Sequence, residues 1–165
     1  MSGKKSIYLM LALALPIGVF LFLKFFGKNE FHVEPLFQSS VPVDTMCNLS
    51  YTFPYVIPDS VVRQFDINDH ELTLVVFEKD EMKNEIEREV RRVEEEFSSE
   101  PVRIIRQEGV DTGVQYLRRC TFLMNDNVTI SLVDKRGRIF GQYDGSSLED
   151  MDRLIVEMKI ILKKY

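Results

Sequence analysis

Few side chains in this 165-residue chain are equipped for covalent or metal chemistry. The two thiols, Cys47 and Cys120, stand 73 positions apart, His32 lies just beyond the N-terminal apolar run, and His70 lies in a polar loop, Asn68 to Glu71. A thiol pair can close a structural disulfide, cycle against another dithiol, or hold a soft metal. A metal or redox site built from this pair is the sharp reading, but no third thiol or neighbouring histidine supports it. If the domain is exported, a structural disulfide between Cys47 and Cys120 is the simplest reading, restricting the unfolded chain by roughly 3–4 kcal/mol. Two separate buried thiols remain the bland alternative. The carboxylates Glu78, Asp80 and Glu81 cluster together. They could serve as an acid/base pair, but they also suit the positive end of a following helix. Glu94-Glu95-Glu96 reads as a solvated helix face, and Arg118-Arg119 either docks an acidic partner or is an ordinary surface pair. The sequence has no phosphate-cradling glycine loop, no nucleophile elbow and no zinc-protease helix. The expectation is therefore a non-enzyme with no catalytic, cofactor or metal residues.

The charge pattern narrows the partners. The chain carries 21 basic and 26 acidic residues, a formal charge of -5. Every acid lies at or after Glu30, whereas Lys4, Lys5, Lys24 and Lys28 precede it. A body this acidic lacks the footprint for phosphate backbones, so nucleic acid is excluded as a partner.

The elements that must position these groups follow from periodicity. Glu71 to Phe77 is an apolar, β-branched run that suits a strand covered on both faces. Met82, Ile86, Val90, Val93 and Phe97 step by four, four, three and four, the face of a helix that ends at Ser98, Ser99 and Pro101. Val102 to Ile105 is a second strand, and a short helix is expected around Gly113 to Cys120 within an ambiguous stretch from 109 to 126. Val128 to Val133 and Arg138 to Tyr143 form a hairpin across the Asp134-Lys135-Arg136-Gly137 turn. Ser146 and Glu149 form a capping box for a final helix whose apolar stripe runs from Leu148 to Leu162. Strand, helix, strand, short helix, strand, strand, helix is the thioredoxin-like plan, a three-layer α/β domain over 55–165.

The N-terminal part reads differently. Ser6 to Leu23 carries no charge, and Phe25 and Phe26 extend the run. Roughly 20 such residues span about 30 Å of hydrocarbon. The expectation is a single-pass transmembrane anchor over 1–28, a signal-anchor rather than a cleaved signal peptide, followed by an extended linker over 29–54. The bilayer is then a partner, and the location is the inner (plasma) membrane with a periplasmic C-terminal domain. Asn48-Leu49-Ser50 and Asn127-Val128-Thr129 fit the glycan-acceptor tripeptide, which is common by chance.

Ser131 to Ile139, with Tyr143-Asp144-Gly145 and the closing helix, resembles the C-terminal end of the Sco-type copper chaperones, as does Tyr55-Val56-Ile57-Pro58-Asp59 at the start of the domain. Those are membrane-anchored thioredoxin-fold proteins that serve cytochrome c oxidase assembly. The resemblance covers about the last 40 residues well and residues 55 to 80 thinly. It implies an accessory role in oxidase assembly, with a respiratory complex or its assembly factors as protein partner. The family binds copper through a Cys-x-x-x-Cys loop after its first core strand and a later histidine. Here Glu78-Lys79-Asp80-Glu81-Met82-Lys83 stands in the loop and Asp126 falls at the histidine position. Soft Cu(I) wants thiolate, thioether or imidazole, so the metal chemistry does not carry over. The alternatives are a thiol-disulfide oxidoreductase using Cys47 and Cys120, and a structural interaction protein.

Overall fold

A computed structural model describes residues 2–26, 31–42, 44, 46–47, 50–109 and 111–163, with side chains in the first helix described at 8, 10, 12–22 and 24. Asn48 and Leu49 of the first acceptor tripeptide, and residues 27–30 where the expected anchor meets its linker, lie outside that set. The chain divides into two compact units, Met1–His32 and Val33–Tyr165.

The first unit is helix α1, Ser2–Phe26, with Pro16 inside it. All of its described side chains are exposed. Among the described residues, no helix is long and apolar enough to cross a membrane. This corrects the expected transmembrane anchor, and with it the single-pass, signal-anchor and inner-membrane expectations and the placement of a periplasmic domain.

The second unit is a mixed α/β fold around one four-stranded sheet. Its strands are β1 (Leu72–Phe77), β2 (Val102–Gln107), β3 (Ile130–Asp134) and β4 (Ile139–Tyr143), in spatial order β2-β1-β3-β4. β1 and β2 are parallel, with Leu74 opposite Ile104. β1 and β3 are antiparallel, with Leu74 opposite Leu132, and β3 and β4 are antiparallel with an irregularity at Leu132/Val133. The remaining helices are α2 (Asp59–Gln64), α3 (Lys83–Glu96), α4 (Thr112–Tyr116) and α5 (Leu148–Ile161).

All six residues of β1 are buried. Side chains alternate across a strand, so Leu72, Leu74 and Val76 face one core and Val75 and Phe77 the other. The first core is closed by Ile86, Val90 and Val93 of α3 and by Met151, Leu154 and Met158 of α5. The second is closed by Tyr55, Ile57, Val62, Ile67 and Phe122. The helix spacing read from Ile86 to Val93 thus buries that stripe, while Arg92 reaches across to Asp152 and Lys159 to Glu96 on the wet side.

Local chemistry sets the turns. Asp134 Oδ1 accepts from the backbone N–H groups of Arg136 and Arg138, and its Oδ2 pairs with the Arg138 guanidinium. Gly137 sits at φ +77, where a side chain would be strained, and its carbonyl accepts from Ile57 N–H at 2.9 Å. The N-cap of α5 is Ser147, which accepts from Asp150 N–H, whereas Ser146 Oγ turns to Asp144. The cap therefore lies one residue later than the Ser146–Glu149 pattern implied. The described residues between 33 and 57 form a strap along the domain. Leu36 N–H donates to Ile139 O, and Tyr55 N–H to Phe37 O.

Tyr143 anchors α5 to the sheet. The ring is fully buried, its hydroxyl donates to Glu157 Oε2 at 2.5 Å, and the Arg153 guanidinium lies 4.9 Å over its face. Burial, and next the bond to Glu157, hold its phenol well above its ordinary pKa of 10.0. The neutral form is thus the one that the fold favours. That stabilisation is complete below about pH 10 and is lost as pH climbs toward the raised value. Thermal melts should show Tm falling above pH 10, with a shallower fall in Tyr143→Phe. An unchanged alkaline slope in that variant would show that the phenol does not contribute.

Candidate functional site

The end of β1 is the corner where the resemblance would place a metal. After Phe77 the chain runs on as Glu78-Lys79, and both side chains are half-buried. Glu78 Oε2 lies 2.8 Å from Lys83 Nζ, which also meets Glu108 at 3.3 Å. These two carboxylates, Glu78 first, raise the Lys83 pKa. Lys79 Nζ turns the other way and donates to the carbonyl of Asp126. The fold therefore brings Lys79 and Asp126 together, across 47 positions of sequence. What meets there is an ammonium and a backbone carbonyl.

The wall of the corner comes from α4 and the turn after it. Asp111 caps α4, accepting from Gly113 and Val114 N–H. The helix then widens into a π-helical turn over Leu117–Thr121. Arg118 and Arg119, adjacent in this turn, share Asp126 but otherwise reach different partners. Arg118 is 7% exposed. Its Nη2 donates to Asn125 O at 2.5 Å and Val128 O at 2.9 Å, pinning the 125–128 turn, while Nη1 is 3.8 Å from Asp126 Oδ1. Burial lowers its pKa, and Asp126 opposes that shift. Arg119 pairs with Asp126 and, at 3.2 Å, with Asp44 of the strap. The arginine pair is thus an internal clamp joining three segments.

Cys120, next in the same turn, is bonded to Cys47, and neither thiol is free. The disulfide ties the strap to the π-turn. Tyr51 Oη donates to Cys120 O at 3.2 Å and Tyr55 Oη to Thr121 O at 2.7 Å, so two phenols brace the same turn. Burial raises the pKa of Tyr55. Gln142 Nε2 holds the next carbonyl, Phe122 O, at 2.8 Å from β4.

The other residues singled out by type do not converge. His32 belongs to the first unit and is exposed, and His70 ends a 3-10 turn with its N–H on Ile67 O. Glu81 is exposed, and Glu94 pairs with Arg106. Among the described residues, no group of three or more His, Cys, Asp or Glu side chains is arranged to hold a metal ion. The donors that do line the corner, an ammonium, two guanidiniums and paired carboxylates, are unsuited to Cu(I). Sequence reasoning missed the burial of Arg118. The only trace of it was the Arg118-Arg119 pair standing just before Cys120 and the apolar run Phe122 to Met124.

No protein-family model matches this sequence, and no curated protein is significantly similar to it.

Proposed function

We propose that this chain is a non-catalytic, thioredoxin-like protein of the Sco-related type, acting as an accessory factor in respiratory-oxidase assembly through a protein partner. The observation that carries the reading is the corner at the end of β1. There Lys79 meets Asp126 where a metal loop and its histidine would meet, and both thiols of the chain are used in a disulfide elsewhere. The strand order β2-β1-β3-β4, with β3 antiparallel to its neighbours and helices against both faces, supports the thioredoxin-like part. The oxidase role rests on the resemblance alone, because a fold does not fix a task.

Anaerobic titration of the full chain with Cu(I) against a chelating dye tests the loss of the metal centre. The expected result is no stoichiometric binding, and tight one-to-one binding would overturn the proposal. Deleting the gene in its host tests the role: assembled oxidase should fall, and added copper should not restore it. The oxidoreductase alternative requires a reachable sulfur. Cys120 is 1% exposed and Cys47 half-buried, so reduction should run through Cys47 alone, and the rate of thiol labelling under mild reductant measures its reach.

A further inference from the structure

Arg118 is an expensive way to pin a turn. Burying a guanidinium costs several kcal/mol unless its donors are satisfied. Among the described residues, its hydrogen bonds run through Nη2 alone. The Nε and Nη1 groups carry three further N–H bonds, and their nearest anionic atom, Asp126 Oδ1, is 3.8 Å away and already paired with Arg119. Arg118 also lines a cavity of about 50 Å³ at the C-terminal ends of β1 and β2, together with Lys79 and Gln115. The Gln115 side-chain amide, half-buried, has no hydrogen-bond partner among the described residues. One carboxylate, Glu78, lines the same cavity, and Lys83 neutralises it at 2.8 Å. Phe77 and Val114 supply an apolar wall.

We infer that this cavity is a binding subsite for one carboxylate group, received by Arg118 and flanked by Lys79 and Gln115. With Nη2 committed to the two carbonyls, Nε or Nη1 offers a carboxylate oxygen a single charge-assisted N–H···O bond. The volume suits that small head group, and the rest of the ligand stays outside. The crevice at the carboxyl ends of parallel strands is where open α/β sheets ordinarily take ligands. The inference does not depend on the oxidase reading. A chain that did bind copper elsewhere would leave it intact.

The test is a titration of the isotopically labelled full chain with sodium acetate at constant ionic strength, sodium chloride making up the balance. It is followed by NMR at the arginine Nε–Hε and glutamine side-chain amide signals. Saturable shifts at Arg118 and Gln115 with a single Kd are expected. Lys79→Met should raise that Kd by about tenfold and Gln115→Ala by about threefold, since one removes a charge-assisted contact and the other a neutral one. Both positions lie outside the two cores, so these variants should fold, whereas Arg118→Gln also removes the pin of the 125–128 turn. A parallel titration with an N-acetylated, amidated glutamate separates the sources. Binding at least as tight as acetate assigns the subsite to an acidic side chain of a partner, and binding of acetate alone assigns it to a free small acid. Shifts that stay linear, that chloride reproduces, or that are unchanged in both variants would overturn the inference.

Discussion

Gly141→Ala is expected to destabilise the domain by about 3 kcal/mol or more, the largest effect of any single-methyl change in the sheet. A Cβ built at Gly141 would lie 1.9 Å from Tyr143 Oη and 2.3 Å from its Cζ. The phenol cannot yield cheaply. It is fully buried, held by Glu157 at 2.5 Å and capped by Arg153. Overpacking alone costs about 1–3 kcal/mol. Turning the ring away also breaks a hydrogen bond to a carboxylate worth about 1.5–3 kcal/mol. Chemical denaturation reads the total. A double-mutant cycle identifies the cause. In a Tyr143→Ala background the added methyl has nothing to strike, so its cost should fall below about 1 kcal/mol. Equal costs in the two backgrounds would show that Gly141 is needed for its backbone instead.

The packing of this domain was legible from periodicity because its two cores are built from long, regular stripes. The step from Ile86 to Val93 buries as a helix face should, and the run from Leu72 to Phe77 is buried on both sides of the sheet. The hairpin was legible because Asp134 and Gly137 are turn residues with a mechanism. α2 was missed because six residues over 59–64 are too few to show a period. The cap of α5 was displaced by one residue because two adjacent serines offer the same chemistry, and only the bond from Ser146 to Asp144 decides between them. Of the corner at the end of β1, the sequence showed that no thiol or imidazole stands in the 78–83 loop or at position 126, but not which groups meet there. The meeting of Lys79 with Asp126, and of Arg118 with two carbonyls, depends on where the fold sets the end of β1 and the 117–121 turn against the 125–128 turn. No spacing rule encodes that. The apolar run at the N-terminus was clear as composition, whereas among the described residues no helix meets the length and apolarity of a membrane span.

Removing the disulfide is the other large perturbation. Cys47→Ser with Cys120→Ser opens a ring closed over 73 positions of sequence. Loop-closure entropy assigns such a ring roughly 4 kcal/mol of stabilisation, which acts by restricting the unfolded chain. Local consequences should be smaller. After the sulfur bond is gone, the strap keeps Arg119 on Asp44, Tyr55 on Thr121, and Leu36 N–H on Ile139 O. The two routes are separable by hydrogen exchange. An effect carried by the unfolded state lowers protection equally for the most buried amides, those of β1 and β3. An effect carried by fraying accelerates only the strap, beginning at Tyr55 N–H. The expectation is a global loss of about 4 kcal/mol in denaturant midpoint analysis, with β1 and β3 protection falling in step. A loss under about 1 kcal/mol, or exchange confined to residues before Ile57, would show that the strap and the sheet open as separate units. The bond would then fasten a segment the domain does not need in order to fold.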